Sequence, residues 1–224
     1  ATDALPPPVL PPVVGGHSLM PSKDALFDAA GIVAEAREGW VIAGPCALDD
    51  DAVEVVRQFC FRSGYLLLAE HGSNLRDGQT ETRRGKPFRR ADGFEIALES
   101  LDAEALIPDV VVQLGRSPIH KGLAEALAAR RGTFEHLLLT EDRWHDASRS
   151  VSRVLMGPVG DTLAALHDGL PKDSQSDETP KSDALCDRCE ACWAHVSATL
   201  LEVEDQATEP GLVRAVAAQL PDGG

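Results

Sequence analysis

The sequence is poor in lysine and aromatic residues, and it has no long apolar segment. Lysine occupies only five positions, aromatic residues make up 4% of the chain, and the formal net charge is −15. An acidic surface of this kind does not suit binding to nucleic acid or to anionic membranes, since both require basic patches. No apolar run approaches the roughly 20 residues that a membrane-spanning helix needs. We therefore expect neither a nucleic-acid partner nor membrane insertion.

Cysteine is also scarce, and its arrangement argues against disulfides. An odd number of cysteines, 5 in a chain of this length, does not form a disulfide framework, so we expect a cytoplasmic protein. Three of them form the pattern Cys186-x-x-Cys189-x-x-Cys192, with His195 three residues further on. Thiolates at this spacing can bind zinc or an iron–sulfur cluster. The same spacing also steps along a helix, so we interpret the cysteines as small buried helix residues and keep a metal protein as an alternative.

Signatures of nucleotide binding and of covalent catalysis are missing. A dinucleotide-binding domain would show Gly-x-Gly-x-x-Gly after its first strand, whereas 43–46 reads Ala-Gly-Pro-Cys and 157–160 reads Gly-Pro-Val-Gly. The sequence contains neither a phosphate-binding P-loop nor a Gly-x-Ser-x-Gly nucleophile elbow. Four scattered histidines are interpreted as structural or surface residues: His71, His120, His136 and His145. We therefore predict no catalytic, cofactor-binding or metal-binding residue in this chain.

The sequence does contain alternating strand and helix patterns. Predicted strands cover 39–44, 65–69, 110–114, 134–139 and 151–155, and predicted helices cover 22–38, 94–106, 161–167, 184–206 and 210–220, with further helices starting near Asp49 and Ser117. Apolar, β-branched runs such as 110–114 are typical of parallel strands buried on both faces. We therefore predict an α/β fold. Its core is a doubly wound, mainly parallel, Rossmann-like or transhydrogenase-like sheet with helices on both faces, followed by C-terminal helices.

Composition divides the chain into four parts. The proline-rich residues 1–21 are expected to be a spacer between domains, 22–170 the central α/β domain, 171–183 a polar linker, and 184–224 a helical segment. We expect both ends to be cuts in a longer polypeptide. Arginines and a lysine cluster between Arg83 and Arg90. We interpret this cluster as a solvated loop, with contact to an anion or a partner subunit as the alternative.

Residues 108–121 contain the candidate binding residue. The strand ends at Gly115, and Ser117-Pro118 is typical of a helix start, with Ser117 as N-cap and Pro118 at the first helical position. Lys121 then falls in the first turn, at the carboxyl edge of the sheet, where open α/β sheets bind ligands. A cation in the first turn opposes the helix dipole, so helix stability does not explain this lysine. We interpret that mismatch as a sign of function.

Three segments together resemble one enzyme family. They are Ser73-Asn74-Leu75-Arg76 after the second strand, residues 108–121, and residues 143–152, which begin Arg-Trp-His-Asp. Their order and spacing resemble the central domain of the thiamine-diphosphate-dependent 2-succinyl-5-enolpyruvyl-6-hydroxy-3-cyclohexene-1-carboxylate synthases of menaquinone biosynthesis. The resemblance covers residues 39–166 and implies that the C-terminal helices lead into the family's next domain.

The resemblance implies an activity that depends on two further domains. Members of the family decarboxylate 2-oxoglutarate on thiamine diphosphate and add the product to isochorismate, with Mg²⁺ anchoring the cofactor. The residues that activate and anchor the cofactor belong to those other domains. The isolated chain is therefore expected to hold no cofactor and to be inactive, and the full-length protein to be a homodimer or homotetramer acting on small acidic substrates.

The resemblance also implies roles for single residues. Lys121 matches a basic residue that meets substrate carboxylates, although some relatives carry a second basic residue where this sequence has Gly122. Ser73, Asn74 and Arg76 also match the family's motif. We interpret Ser73 and Asn74 as hydrogen-bonding residues that shape a loop, and Arg76 as structural or interfacial rather than catalytic. Two alternatives stay open. One is the central domain of another thiamine-diphosphate decarboxylase or carboligase, and the other is a non-catalytic domain that binds an acidic metabolite or a nucleotide.

Overall fold

The computed structural model describes residues 20–46, 48–76, 82–83, 86–87, 89–99, 101–171 and 180–202. The strands described are β1 (Gly39–Ala43), β2 (Leu66–Ala69), β3 (Thr82–Arg83), β4 (Lys86–Pro87), β5 (Val110–Leu114), β6 (Glu135–Thr140) and β7 (Arg153–Met156). β3 and β4 form a small antiparallel pair, and the other strands form one parallel sheet in the order β2-β1-β5-β6-β7. The predicted parallel sheet is confirmed.

Helices cover both faces of this sheet. They are α1 (Lys23–Glu35), α2 (Asp50–Ser63), α3 (Phe94–Glu99), α4 (Ala103–Leu106), α5 (Lys121–Ala129), α6 (Val159–Gly169) and α7 (Pro180–Glu202). Side chains alternate along each strand, so Val41 and Ala43 pack with α1, α2 and α6, whereas Trp40 and Ile42 pack with the remaining helices. Two cores result, one on each face, which confirms the doubly wound fold. Among the described helices, none combines the length and apolarity needed to cross a membrane.

Local capping explains where the first two helices begin. The Ser22 hydroxyl accepts a hydrogen bond from the Ala25 N–H at 3.2 Å, and the Asp49 carboxylate accepts one from the Ala52 N–H at 2.9 Å. Each side chain satisfies an N–H group that the helix itself leaves unpaired. At the other end of α2, Gly64 adopts a left-handed φ of 73° and closes the helix. The helix starts predicted near residues 22 and 49 are confirmed.

The predicted start of α5 is wrong. His120 is the N-cap, and Lys121 is the first residue of the helix. The Ser117 hydroxyl accepts a hydrogen bond from the distant Ala147 N–H at 3.0 Å instead of capping. Ser117 therefore makes a tertiary contact, and the helix begins three residues later than its local signal indicates.

Several other boundaries also differ. The helix predicted over 94–106 is divided into α3 and α4, because Asp102 caps a new helix through the Ala105 N–H at 3.3 Å. β7 is shifted towards the C-terminus from 151–155, and α7 begins at Pro180, inside the predicted linker. Residues 1–19, 172–179 and 203–224 lie outside the described residues. The proline-rich spacer, most of the linker and the helix predicted over 210–220 therefore stay predictions.

The connection between β6 and β7 contains no helix. Residues 141–152, all described, cross between two parallel strands as irregular backbone, although such crossovers are usually helical. Polar side chains of the strands pair with this backbone. The Gln113 amide donates to the His145 carbonyl at 3.0 Å, and the Thr140 hydroxyl donates to the Arg143 carbonyl at 2.9 Å. We call residues 141–152 the crossover loop.

Candidate functional site

The chain reverses its direction across the sheet between β1 and β5. β1 connects to β2 on one side, and β5 connects to β6 on the other. Ligands of open α/β sheets bind in the crevice at such a point. Here two loops fill it: a Cβ atom on Gly44 would lie 2.3 Å from the Arg116 carbonyl oxygen, and one on Gly115 would lie 2.7 Å from the Cys46 Cβ. These glycines therefore allow close contact between the two loops.

Glu70 joins the end of β2 to the start of α5. Its carboxylate oxygens accept hydrogen bonds from the Ile119 N–H at 2.7 and 2.9 Å and from the His120 N–H at 3.0 Å. The residue is only 4% exposed. A carboxylate is stabilised at a helix N-terminus because the peptide dipoles and free N–H groups favour negative charge there. The sequence analysis missed this contact, for which the available signal was an acidic residue directly after a buried strand.

Lys121 lies at the carboxyl edge of the sheet, as predicted. It is the first residue of α5, its side chain is 85% exposed, and its ammonium lies 3.5 Å from the Glu125 carboxylate one turn later. The Glu70 carboxylate bonds the two N–H groups immediately before it. The unfavourable interaction of Lys121 with the helix dipole is therefore offset by neighbouring negative charge. The structure places Lys121 where a ligand can reach it, and its role in substrate binding stays a prediction.

The segment Ser73 to Arg76 shapes the loop after β2. The Ser73 hydroxyl donates to the Glu70 carbonyl at 2.7 Å, and the Asn74 amide donates to the Leu48 carbonyl. The Arg76 Nε–H donates to the Ala69 carbonyl at 2.7 Å. These bonds fix the backbone on both sides of Glu70.

Arg76 also connects this loop to α3, one of the helices that pack with Trp40 and Ile42. Its guanidinium forms an ion pair with Glu95 on α3 and lies 3.0 Å from the exposed His71 ring. A guanidinium held by a carbonyl and a carboxylate has few donors left for a ligand. These contacts are typical of a structural residue.

A buried histidine anchors the far end of the crossover loop. The His136 Nδ1 atom lies 2.8 Å from the Ser150 hydroxyl, which lies 2.7 Å from the Ser148 hydroxyl. Ser148 in turn donates to the Asp146 carboxylate at 3.1 Å. Burial lowers the pKa of His136 to about 4, against the opposing effect of the Asp146 charge. The ring is therefore neutral at physiological pH and contributes to structure.

The outer side of the crossover loop borders an open groove of about 440 Å³. Trp144, Asp146, Arg149 and Val151 line it. Arg149 is the residue other than glycine that adopts a left-handed φ, of 54°, in the described part of the chain. Its N–H donates to the Asp146 carbonyl at 3.3 Å, so the strained backbone closes a tight turn.

The cysteine pattern lies on α7. Cys189 is buried against the second core, with Cys186 and Cys192 partly buried beside it. Burial raises the pKa of Cys189 to about 12 and also raises that of Cys186, so both remain thiols at neutral pH. Among the described residues, no group of histidine, cysteine, aspartate and glutamate side chains could hold a metal ion. This arrangement favours the interpretation as buried helix residues.

The basic cluster between Arg83 and Arg90 is only partly described. Arg89 forms an ion pair with Asp183 on α7. Arg90 forms a two-pronged pair with Asp92, with distances of 2.6 and 2.9 Å, and donates to the Leu75 carbonyl at 3.1 Å. These two arginines connect parts of this chain, while Arg84 lies outside the described residues and the side chains of Arg83 and Lys86 are not described.

Comparison with known proteins gives a partial match. No family model matches the chain. The curated 2-succinyl-5-enolpyruvyl-6-hydroxy-3-cyclohexene-1-carboxylate synthase of Bacillus cytotoxicus is 24% identical over 180 residues, which make up 77% of this chain and 28% of that protein. The chain thus spans less than a third of the length of this relative. The chain is therefore similar in sequence to part of this synthase, in agreement with the resemblance of its motifs.

Solved structures show weaker likenesses. A protein from Mycobacterium smegmatis described as a thiamin diphosphate-dependent enzyme matches with a TM-score of 0.45 and 18% identity, covering 79% of this chain and 32% of its own. The sugar isomerase domain of an RpiR transcription factor from Sphaerobacter thermophilus matches with a TM-score of 0.39 and 15% identity, covering 80% of this chain and 88% of its own. At these TM-scores neither likeness bears on function.

Proposed function

We propose that this chain is the central domain of a thiamine-diphosphate-dependent synthase of menaquinone biosynthesis, which decarboxylates 2-oxoglutarate and adds the product to isochorismate. The sequence similarity to the Bacillus cytotoxicus synthase over 77% of the chain supports the proposal. One structural observation carries it further. The three segments that resemble the family meet at the carboxyl edge of the sheet. Ser73 donates to the Glu70 carbonyl, and the Glu70 carboxylate bonds to Ile119 and His120 in the segment that contains β5. Ser117 of that segment accepts a hydrogen bond from Ala147 in the crossover loop.

In this proposal, Lys121 lends a positive charge to the substrate pocket. Both substrates are polyanions, so their binding and orientation require cations placed near their carboxylates. The Lys121 ammonium is 85% exposed at the carboxyl edge, and the salt bridge that it forms is with an exposed partner on its own helix. Exchanging an exposed ion pair of this kind for a substrate carboxylate costs little, because such pairs contribute about 0–1 kcal/mol.

Thiamine diphosphate supplies the electron sink for decarboxylation in such an enzyme. Within the described residues we find no group that could hold Mg²⁺, and we assign no residue of this chain to the cofactor. We propose that the cofactor is held by further domains of the full-length protein, that the isolated chain is inactive, and that this domain supports assembly into a dimer or tetramer.

The test compares full-length wild type with Lys121→Ala, Lys121→Arg and Lys23→Ala. Consumption of 2-oxoglutarate and isochorismate is measured with thiamine diphosphate and Mg²⁺. Lys23 is the matched control because it is also an exposed lysine at the first position of a helix. We expect Lys121→Ala to lower kcat/KM about ten-fold, equivalent to about 1.4 kcal/mol of transition-state stabilisation. Lys121→Arg should keep most of the activity, since it keeps the charge.

Each result has a definite meaning. Equal activity of Lys121→Ala and Lys23→Ala would remove Lys121 from the pocket while keeping the reaction. A wild type that is inactive on this pair but active on another 2-oxo acid would place the chain in another thiamine-diphosphate decarboxylase or carboligase. A wild type without any such activity, but stabilised against heat by a nucleotide or an acidic metabolite, would favour a ligand-binding domain.

A further inference from the structure

We propose that Glu70 is a positioning residue for Lys121. The proposal rests on the proposed function, because it concerns the placement of the cation that meets the substrate. Glu70 lies far from Lys121 in sequence, yet its carboxylate holds the two residues that directly precede Lys121. No chemical step is assigned to Glu70.

The geometry of the α5 start supports this role. Pro118 has no N–H group, and the His120 ring uses its Nδ1 atom to accept from the Leu123 N–H at 3.2 Å. The N–H groups of Ile119 and His120 both bond to Glu70. The direction in which α5 begins, and with it the Cα position of Lys121, is therefore fixed by a side chain from another loop.

Glu70 is itself held rigidly. Its N–H donates to the Ala43 carbonyl at the end of β1 at 3.0 Å, and its carbonyl accepts from the Ser73 N–H at 3.0 Å and from the Ser73 hydroxyl at 2.7 Å. The carboxylate therefore connects α5 to the carboxyl ends of two adjacent strands. The Ser73 loop therefore holds Glu70 in place, and Glu70 in turn positions Lys121.

The charge of Glu70 matters as well as its shape. A buried carboxylate is stable only when it is hydrogen-bonded, and the donors at the start of α5 meet that need. Its negative charge also offsets the unfavourable effect of the helix dipole on a lysine at the first helical position. Glu70→Gln keeps an acceptor oxygen and loses the charge, whereas Glu70→Ala loses both.

A double-mutant cycle in the full-length protein tests the proposal. Glu70→Ala, Glu70→Gln, Lys121→Ala and the combination Glu70→Ala with Lys121→Ala are compared with wild type by steady-state kinetics. We expect Glu70→Ala to raise KM for the acidic substrates about ten-fold, with kcat changed less than about two-fold, since it displaces a binding group. Glu70→Gln should raise KM less. In the Lys121→Ala background, Glu70→Ala should have no further effect on KM.

Glu141→Ala is the matched control. The Glu141 carboxylate accepts from the Val159 N–H at 3.3 Å and so holds the start of α6, where no lysine follows within the first turn. We expect this variant to leave KM unchanged. If Glu70→Ala does not fold, Glu70→Gln in both backgrounds carries the same test.

Failure of the positioning role differs from failure of the proposed function. A ten-fold effect of Lys121→Ala, combined with an unchanged KM in both Glu70 variants, would overturn the positioning role alone. An equal rise of KM from Glu70→Ala in the presence and absence of Lys121 would show a general structural effect and would also overturn it. A normal KM in Lys121→Ala would overturn the proposed role of Lys121 and the positioning role with it.

Discussion

Buried polar side chains hold the irregular backbone of this protein. Glu70, Gln113 and His136 are each at most 4% exposed, and each bonds to a loop. Burying a polar group without a partner is costly, so these residues are stable only where the loops supply donors or acceptors. A buried polar residue inside an apolar strand or directly after it therefore marks the position of a loop that packs on the sheet.

The buried His136 side chain should make the stability of the fold depend on pH. Burial lowers its pKa to about 4 in the folded state, whereas an unfolded histidine has a pKa of about 6.5. The unfolded state therefore binds the proton more readily, and stability is lost as the pH falls through 6.5 towards 4. We expect this residue alone to make the free energy of unfolding about 2 kcal/mol lower at pH 5 than at pH 7.

Urea unfolding of wild type and His136→Leu at pH 7 and pH 5 checks this prediction. His136→Leu should be less stable at pH 7, because it loses the bond to Ser150, and should show a weaker dependence on pH. His71→Leu, which removes an imidazole whose side chain is 84% exposed, is the matched control. Equal pH dependence in both variants would contradict a role for His136.

At the scale of elements, local signals predicted the strands well. Apolar runs such as 110–114 and caps such as Ser22 depend on neighbouring residues, so the sequence contains the necessary information. The start of α5 could not be predicted in the same way. Ser117 and Pro118 form a favourable local start, but Ser117 bonds to Ala147 instead, and Glu70 binds the backbone just before Lys121. Both contacts depend on residues far away in sequence.

In the candidate site, the position of Lys121 could be predicted from the sequence, but its connection to Glu70 could not. The position of Lys121 at the carboxyl edge follows from a strand followed by a helix in a parallel sheet. Its connection to Glu70 depends on β2 and β5 lying on either side of β1, which is a property of strand order. The sequence also predicted no helix between the strands at 134–139 and 151–155, but not the contacts of the crossover loop, because these depend on side chains of the strands beneath it.

Substitution of Gln113 tests how much its hydrogen bonds to the crossover loop stabilise the fold. It is 1% exposed, and its amide donates to the His145 and Gly115 carbonyls at 3.0 and 3.3 Å. Gln113→Met keeps the volume and removes both donors, leaving two carbonyls without these partners. We expect it to lower the free energy of unfolding by about 1–3 kcal/mol in urea titrations.

Gln58→Met is the control for this substitution. Gln58 donates to Glu54 on its own helix at 2.8 Å, so we expect a change within about 0.5 kcal/mol. A similar loss in both variants would mean that the amide of Gln113 does not hold the crossover loop.

At the scale of the whole molecule, the question is whether α7 folds as one unit with the sheet. Leu185 and Cys189 are buried with Phe94 and Leu98 in the core on the second face of the sheet. Arg89 adds an ion pair to Asp183 near the start of the same helix. The first half of α7 therefore covers this core, although the resemblance implies that the helix leads towards another domain.

Leu185→Ala measures this contribution. Leu185 is 0% exposed, and truncating a buried leucine to alanine removes its packing and leaves a cavity, so we expect a loss of about 3 kcal/mol in the free energy of unfolding. The loss should appear in a single transition seen both by far-ultraviolet circular dichroism and by tryptophan fluorescence, because α7 and the sheet would unfold together. Thr199→Ala is the control on the same helix, since Thr199 is exposed and its hydroxyl donates to the His195 carbonyl of α7 at 3.0 Å. An unchanged midpoint for Leu185→Ala, or a separate early transition, would show that the sheet folds without α7.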